Sequence, residues 1–167
     1  MAENQRAGIR MTDDEVTSFL QENRTATIAT IGPNGFPHLV AMWYGLVGGK
    51  VYFETKAKSQ KVVNLRRDPK ISCSVEAGES YDQLRGVEIE GVAAVIDDAS
   101  SDDYWAAAVS VWERYQGAYT EEMRPYVEGM MHKRIVIRLD PVRIRSWDHR
   151  KLGMGETPVA GSTAQFR

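Results

Sequence analysis

The sequence predicts a mainly β fold of the α+β class, a small antiparallel β-barrel with peripheral helices. Short segments of alternating apolar and polar residues recur along the chain, which is the pattern of half-buried strands. Turn residues at 32–35 (G-P-N-G) separate two of these segments, which favours antiparallel pairing. Other segments have the 3.6-residue periodicity of helices. We therefore expect about seven short strands, with helices inserted between some of them.

The strand patterns are linked by two kinds of connection. A β-branched segment, the turn at 32–35 and the segment after it together predict a hairpin. A second tight turn is predicted at Asp140-Pro141, between the last two strand patterns. The strand patterns cover residues 25–31, 37–46, 51–55, 71–76, 87–91, 92–96, 135–139 and 142–147.

Helix signals occur between and before these strands. Residues 12–15 (T-D-D-E) form a capping box ahead of an apolar stripe, which predicts a helix to about residue 23 that covers or braces the barrel. Ser59 is a preferred N-cap residue, and Asp68-Pro69 ends the helix that follows it. Serines and acids at 100–103 begin a further helix. A last helical segment lies between residues 120 and 131, and Pro125 either breaks it or starts it.

Composition indicates a globular chain. Hydrophobic residues make up 43% and charged residues 26%, and no window approaches the roughly 18 apolar residues of a membrane span. We expect the barrel domain to cover residues 12–152, between a flexible N-terminus at 1–11 and a flexible C-terminal tail at 153–167. Residues 1–11 lack the apolar core of a secretory signal, so we expect a cytoplasmic location.

Metal binding and nucleic-acid binding are not favoured. The single cysteine, Cys73, alternates with apolar residues and is interpreted as a buried structural thiol. His38, His132 and His149 have no metal-ligand spacing with each other or with the cysteine, so no metal is predicted. The net charge is −2 and there is one local basic cluster, which does not provide the extended positive surface that nucleic acids require.

The change from strand to helix periodicity near residue 57 is the most informative feature. The first turn of a helix has unpaired N–H groups and about half a positive charge, so it can bind a phosphate. Two hydroxyls and three ammonium groups accompany this helix start. We call these residues the anion cradle: Thr55, Lys56, Lys58, Ser59 and Lys61. Ser59 and Lys61 are predicted to contact one oxyanion. The later basic residues, Arg66, Arg67 and Lys70, are interpreted as a solvated surface.

The second predicted strand carries an aromatic cluster, Met42-Trp43-Tyr44. Such rings are typical of core and interface packing. They would also allow a flat ring system to lie against the strand, held by its backbone groups. The two interpretations are compatible.

Three segments of the sequence resemble sequence motifs of one known family. They are residues 34–38 (N-G-F-P-H), residues 55–69 (T-K-A-K-S-Q-K-V-V-N-L-R-R-D-P) and residues 85–91 (R-G-V-E-I-E-G). Together they resemble the split β-barrel flavin and deazaflavin oxidoreductases related to pyridoxamine phosphate oxidase, and the resemblance covers roughly residues 12–152. The motif S-x-K-x-x-N-L at residues 59–65 resembles the corresponding motif of the actinobacterial branch, whose members use the deazaflavin coenzyme F-420. The resemblance implies an FMN-binding split barrel that forms a homodimer, with two cofactors at the subunit interface.

The resemblance also implies which residues bind the cofactor. The cofactor phosphate would lie on the anion cradle, with Asn64 as a supporting residue. The ring system would lie along the second strand, at Ala41, Met42 and Trp43. Trp147, on a C-terminal strand, would close the pocket from the partner subunit. The cofactor carries the hydride chemistry in such enzymes, so no catalytic side chain is predicted.

The activity implied is that of a reductase that passes hydride from reduced deazaflavin to an unsaturated organic acceptor, such as an enone, a quinone or a tetrapyrrole. Pyridoxamine phosphate oxidases have an arginine on the second strand and a C-terminal arginine-leucine motif. This chain instead has P-H-L-V-A-M at 37–42 and W-D-H-R-K-L at 147–152, so oxidation of that vitamin is not expected. Two alternatives stay open: an FMN-dependent oxidoreductase of the same fold, and a non-enzymatic protein that stores the coenzyme or senses a ligand.

Overall fold

The structure, a computed structural model, describes residues 5–155. Within this range an antiparallel seven-stranded sheet curls into a half-barrel in the order β2-β1-β5-β6-β7-β4-β3, with helices around it. The strands are β1 (Ala26–Ile31), β2 (Pro37–Met42), β3 (Gly45–Val47), β4 (Lys50–Lys56), β5 (Lys70–Ala77), β6 (Arg85–Ile96) and β7 (Arg134–Asp148). The α-helices are α1 (Gln5–Gly8), α2 (Asp13–Glu22), α3 (Gln60–Arg67), α4 (Asp102–Tyr115) and α5 (Arg124–Met130). Short 3-10 helices occur at Tyr81–Gln83, Glu121–Met123 and His149–Leu152. The predicted fold class is confirmed.

Two pairs of predicted strands are in fact single long strands. β6 and β7 pair along most of their lengths, with a register shift between Glu90 and Gly91, where Pro141 faces Gly91. A Cβ on Gly91 would lie 2.3 Å from the backbone oxygen of Asp140, so glycine permits this close approach. A bulge bends strands without ending them. The predicted turn at Asp140-Pro141 is therefore wrong, because the proline lies at a bulge instead.

The predicted strand at 37–46 is also wrong, because it divides into β2 and β3, which lie at opposite edges of the sheet. Tyr44 lies between them and is fully buried. Its hydroxyl donates to the backbone oxygens of Leu20, at 2.7 Å, and Asn23, at 2.9 Å. Arg114 of α4 donates to the Tyr44 carbonyl at 2.9 Å. These bonds direct the chain at Tyr44 towards α2 and α4 and away from β1. The pairing of β2 with β1 therefore ends at Met42.

The hydrophobic core has two parts. The larger part lies inside the half-barrel and includes the inner sides of α2 and α3. The smaller part lies on the other face of β4 and β7, beneath α4 and α5. Because β4 lies between the two parts, its residues 51–55 are all buried instead of alternating with exposed ones.

The helix predictions agree with the structure at their N-termini. Thr12 Oγ1 accepts a hydrogen bond from the Glu15 amide at 3.2 Å, and the Glu15 carboxylate accepts one from the Thr12 amide at 2.7 Å, which is the predicted capping box. Ser59 is the N-cap residue of α3. Pro125 lies in the first turn of α5, where proline is well tolerated, so of the two predicted alternatives it starts that helix.

The N-terminal segment contacts the barrel before residue 12. Met11 is buried, the Asp148 amide donates to the Ile9 carbonyl at 2.7 Å, and the Lys151 ammonium donates to the Arg10 carbonyl at 2.8 Å. The flexibility of residues 1–11 and the boundary at residue 12 stay predictions. Most of the predicted tail, residues 156–167, lies outside the described residues. Among residues 5–155, no helix combines the length and the apolar character needed to cross a membrane.

Candidate cofactor site

The junction between β4 and α3 brings three cradle residues to one point. β4 ends at Lys56, and α3 begins after Ser59, as predicted. The Ser59 hydroxyl makes no capping hydrogen bond and lies 3.2 Å from the hydroxyl of Thr55. The Lys61 ammonium donates to the same Thr55 hydroxyl at 3.1 Å. Two hydroxyls and one ammonium therefore converge at the start of the helix.

The first turn of α3 has unused hydrogen-bond donors. Among the described residues, the backbone amides of Gln60 and Lys61 have no partner, as expected for the first turn of a helix. The Lys56 and Lys58 side chains are exposed beside them. Burial, together with the charge of Arg134, lowers the pKa of Lys61. A half-buried ammonium beside free amides would be stabilised by a bound oxyanion.

Asn64 supports the cradle from beneath. It is completely buried on the inner side of α3. Its amide nitrogen donates to the Thr30 hydroxyl of β1 at 3.0 Å, and its amide oxygen accepts from the Gln60 side chain at 2.8 Å. These bonds hold α3 against the sheet, which agrees with a supporting role and leaves Asn64 without a surface for direct contact with a ligand.

The residues predicted to hold the ring system lie on and after β2. Ala41 is exposed, whereas Met42 is half-buried and packs against the larger core. Trp43 is 54% exposed, and its ring stacks on Tyr115 of α4 at 4.3 Å with an interplanar angle of 7°. β2 is an edge strand, so the peptide groups along its free side are not used by the sheet.

Trp147 lies on the face of the sheet that is turned away from the larger core. It stands over Gly86 of β6 and lines a shallow groove with Ala29 of β1 and Leu39 of β2. The described grooves that Trp147 lines include none of Thr55, Ser59 or Lys61. A single chain therefore brings part of the cradle together but does not place Trp147 beside it.

Two charged residues that the sequence did not single out lie near the cradle. Glu54 is 7% exposed, and among the described residues its Oε1 has no hydrogen-bond partner. Burial raises the pKa of Glu54 to about 7, against the opposing charge of Arg134. The Nε of Arg134 is likewise buried without a partner. In the sequence, strand alternation places Glu54 on the polar side of β4, which is normally exposed to solvent. In the structure α4 and α5 pack over this side of the strand and bury Glu54.

Comparison with known proteins assigns the chain to a family. The family model described as pyridoxamine 5'-phosphate oxidase matches residues 12–148, and the chain belongs to this family. The predicted split-barrel fold is thereby confirmed. The family includes oxidoreductases and binds flavin-type cofactors, and its members commonly form dimers with the cofactor at the subunit interface.

Solved structures and a curated relative are similar to this chain to different degrees. The conserved hypothetical protein Rv2991 from Mycobacterium tuberculosis is 52% identical, with a TM-score of 0.91 over 97% of this chain and 100% of that chain. A structure described as an F420 reductase is 25% identical, with a TM-score of 0.55 over 76% of this chain and 93% of that one. A pyridoxine/pyridoxamine 5'-phosphate oxidase from Cupriavidus metallidurans is 28% identical over 96 residues, or 57% of this chain. The chain spans only 44% of the length of that curated relative.

Proposed function

We propose that this protein is a reductase that binds the deazaflavin coenzyme F-420 and passes hydride to an unsaturated organic acceptor of the enone, quinone or tetrapyrrole class. The observation that carries the proposal is the convergence of Thr55, Ser59 and Lys61 at the start of α3. Ser59 and Lys61 belong to the S-x-K-x-x-N-L motif. The similarity to the F420 reductase supports the choice of cofactor, and membership of the family supports oxidoreductase activity.

The cradle fits a phosphate group. Both hydroxyls can turn their hydrogens towards an oxyanion, and the Lys61 ammonium has donors beyond the one used by Thr55. The unused amides of Gln60 and Lys61 add two donors that a side-chain cap does not occupy. All of these groups donate, and none carries a negative charge that would repel the phosphate.

The ring system would lie along the free side of β2. When bound, the deazaflavin supplies the hydride, while the chain binds it, orients it and excludes water. Trp43 is held in one orientation by its stacking on Tyr115 and offers a flat apolar surface beside the strand. Trp147 is separate from the cradle within one chain, so its predicted role requires the partner subunit. The proposed assembly is accordingly a homodimer with the cofactor at its interface.

Vitamin oxidation is not part of the proposal. The side chains of β2 are those of Pro37–Met42, which include no arginine. The chain after Trp147 has Arg150 in place of the family's arginine-leucine motif, and that guanidinium is engaged by Asp148 at 2.6 Å. Pyridoxamine phosphate oxidases bind the substrate phosphate with an arginine on the second strand and an arginine near the C-terminus. In this chain the first arginine is absent and Arg150 is already paired with Asp148, so neither is free to bind that phosphate.

Cofactor titration tests the proposal. Calorimetry of the purified protein with F-420 and with FMN should show F-420 binding at least about tenfold more tightly, a difference of about 1.4 kcal/mol. Equal affinity or a preference for FMN would contradict the choice of deazaflavin. Appearance of the absorbance of oxidised F-420 when a quinone is added to the reduced coenzyme should then report hydride transfer.

The second candidate is an FMN-dependent oxidoreductase of the same fold. It is favoured by the family itself and by the curated oxidase relative, which is similar to 57% of the chain. A role in storing the coenzyme would share the binding site and lack turnover. The same titration and the quinone assay separate these functions, because storage predicts tight binding without oxidation of the reduced coenzyme.

A further inference from the structure

A groove with an arginine-rich lining lies between the N-terminal segment and the last part of β7. Its volume is about 540 Å³, which is within the range of roughly 300–1,000 Å³ that is typical of small-molecule sites. Arg6 and Arg10 line it from the N-terminal side, and Arg143 and Arg145 line it from β7. Among the described residues of the lining, Glu88 is the one acid. The groove therefore concentrates positive charge in a chain whose net charge is −2.

The pairing of β6 with β7 fixes the strand side of the groove. Side chains two residues apart in a strand project from the same face, so three residues of β7 stand in a row: Arg143, Arg145 and Trp147. Arg145 donates to the Glu88 carboxylate at 3.0 Å and to the Glu90 carboxylate at 2.8 Å, so its charge is balanced. The Arg143 guanidinium lies 3.9 Å from the Glu90 carboxylate, which is beyond hydrogen-bonding distance. Its donors are therefore available to a ligand.

The opposite side of the groove is held by its backbone. The Asp148 amide donates to the Ile9 carbonyl at 2.7 Å, and this bond ties residues 6–10 to the end of β7. The guanidinium groups of Arg6 and Arg10 have neither a hydrogen bond nor an ion pair with any other described residue. The segment is thus fixed at its main chain, while its two charged side chains line the groove without partners.

The groove also offers an aromatic surface. Trp147 is half-buried and lines the groove beside the arginines. Its indole provides a flat apolar surface, and the neighbouring guanidinium groups provide paired donors that match the two oxygens of a carboxylate. A planar unsaturated molecule that carries a carboxylate would use both features at once. A solvated basic surface, in contrast, does not require a ring beside the charges.

We propose that this groove binds the anionic end of the hydride acceptor, so that the acceptor is an unsaturated organic acid whose carboxylate is held by Arg10 and Arg143. The proposal rests on the proposed function and its homodimer, because Trp147 of one subunit is expected to close the cofactor pocket of the other. The groove beside Trp147 then opens next to the ring of that cofactor. The two arginines are specificity-determining residues, because they select the acceptor by its charge.

A matched pair of probes tests the site in the cofactor-free protein. The anion 2-naphthoate and the uncharged 2-naphthamide have the same ring and nearly the same shape. Calorimetry should show 2-naphthoate binding at least about tenfold more tightly than 2-naphthamide. The affinity for 2-naphthoate should fall as salt is added, because salt screens exposed guanidinium groups, whereas the affinity for 2-naphthamide should not.

Arg10→Gln and Arg143→Gln should each weaken the binding of 2-naphthoate about tenfold. Neither change should alter the binding of 2-naphthamide, which gains nothing from the positive charge. Both side chains are exposed, so the melting temperature should stay close to that of the parent. The matched control is Arg66→Gln, which removes the same charge at the last turn of α3, where Arg66 pairs with Asp97 on the surface.

Turnover gives a second readout of the same selection. The ratio of kcat/KM for 1,4-naphthoquinone-2-sulfonate to that for 1,4-naphthoquinone would be compared between the parent and each variant. The intrinsic reactivity of the two quinones cancels in this comparison, so a change in the ratio reports recognition of the charge. We expect the ratio to fall about tenfold in Arg10→Gln and in Arg143→Gln, and to be unchanged in Arg66→Gln.

Equal affinity of the parent for 2-naphthoate and 2-naphthamide, or an equal loss of 2-naphthoate binding in Arg66→Gln, would overturn the inference. Displacement of 2-naphthoate by saturating F-420 would overturn it as well, because the groove would then belong to the cofactor. None of these results affects the comparison of F-420 with FMN. Conversely, a preference for FMN would overturn the proposed cofactor and leave the binding of 2-naphthoate intact, since that is measured without cofactor.

Discussion

Lys61 is the cradle residue whose removal should matter most for binding. Its side chain is half-buried, and its ammonium donates a hydrogen bond to the Thr55 hydroxyl. A hydrogen bond to a charged group contributes about 1.5–3 kcal/mol, so Lys61→Ala should weaken cofactor binding by roughly one to two powers of ten. The melting temperature should hardly change, because the side chain has little packing to lose. Binding isotherms and melting curves at two salt concentrations measure both effects.

Lys70→Ala is the control for this prediction. Lys70 is exposed, lies beyond the proline that ends α3 and pairs with Asp68 at 3.8 Å. It should contribute no more than screened surface attraction, which salt removes. If both lysines affected binding equally, or if Lys61→Ala bound the cofactor like the parent, the assignment of the anion cradle would be wrong.

The sequence allowed only part of the candidate site to be predicted at the residue scale. Ser59 and Lys61 could be selected because helix-start chemistry is local and depends on residues a few positions apart. Glu54 and Arg134 could not, because they are 80 positions apart in the chain and become neighbours only when β7 pairs with β4. The burial of Glu54 also depends on α4 and α5, which follow much later in the sequence.

At the scale of elements, local signals located helices better than strand ends. The capping box placed the start of α2 correctly, since its two hydrogen bonds lie within four residues. The turn signal at Asp140-Pro141 was misleading, because the same residues suit a bulge when a glycine faces them across the sheet. Likewise, the end of β2 is decided by the distant contacts of Tyr44 with α4 and with the end of α2.

The contact between β6 and β7 at Trp147 leads to a prediction about Gly86. A Cβ on Gly86 would lie 2.0 Å from Cζ2 of the Trp147 ring, so Gly86→Ala must displace the indole. Overpacking of this kind costs about 1–3 kcal/mol, and we expect the free energy of unfolding to fall by that amount. Denaturant unfolding measures the loss, and tryptophan fluorescence should report a changed environment.

Gly129→Ala provides a matched comparison for Gly86→Ala. Gly129 lies in α5, and a Cβ there would meet no atom within 4 Å. Alanine in a helix is favoured over glycine by about 0.5–1 kcal/mol, so this variant should be more stable than the parent. Equal stability of the two variants would show that Trp147 does not pack on β6 as described.

At the scale of the whole molecule, the sheet presents an apolar face that one chain does not cover. Trp105 and Trp112 pack against the smaller core, so they are not part of this face. The face instead exposes aliphatic side chains on several strands: Ile31, Leu39, Val92 and Val142. Exposed apolar patches of this kind usually mark protein interfaces. The homodimer stays a proposal, now with this face as its interface.

Light scattering tests the assembly. The parent should have about twice the 18.8 kDa mass of one chain at micromolar concentrations, and a mass of 18.8 kDa would contradict the homodimer. Leu39→Arg places a charge on the apolar face, where Leu39 is 62% exposed, and should yield monomers. Val63→Arg is the control, since Val63 is 51% exposed on α3 and lies outside that face.

Because Trp147 is expected to close the pocket of the other subunit, the Leu39→Arg monomer should also bind cofactor more weakly than the parent. A monomer that bound the cofactor with unchanged affinity would show that each chain holds a complete site, and the proposed position of the cofactor at the interface would then be wrong.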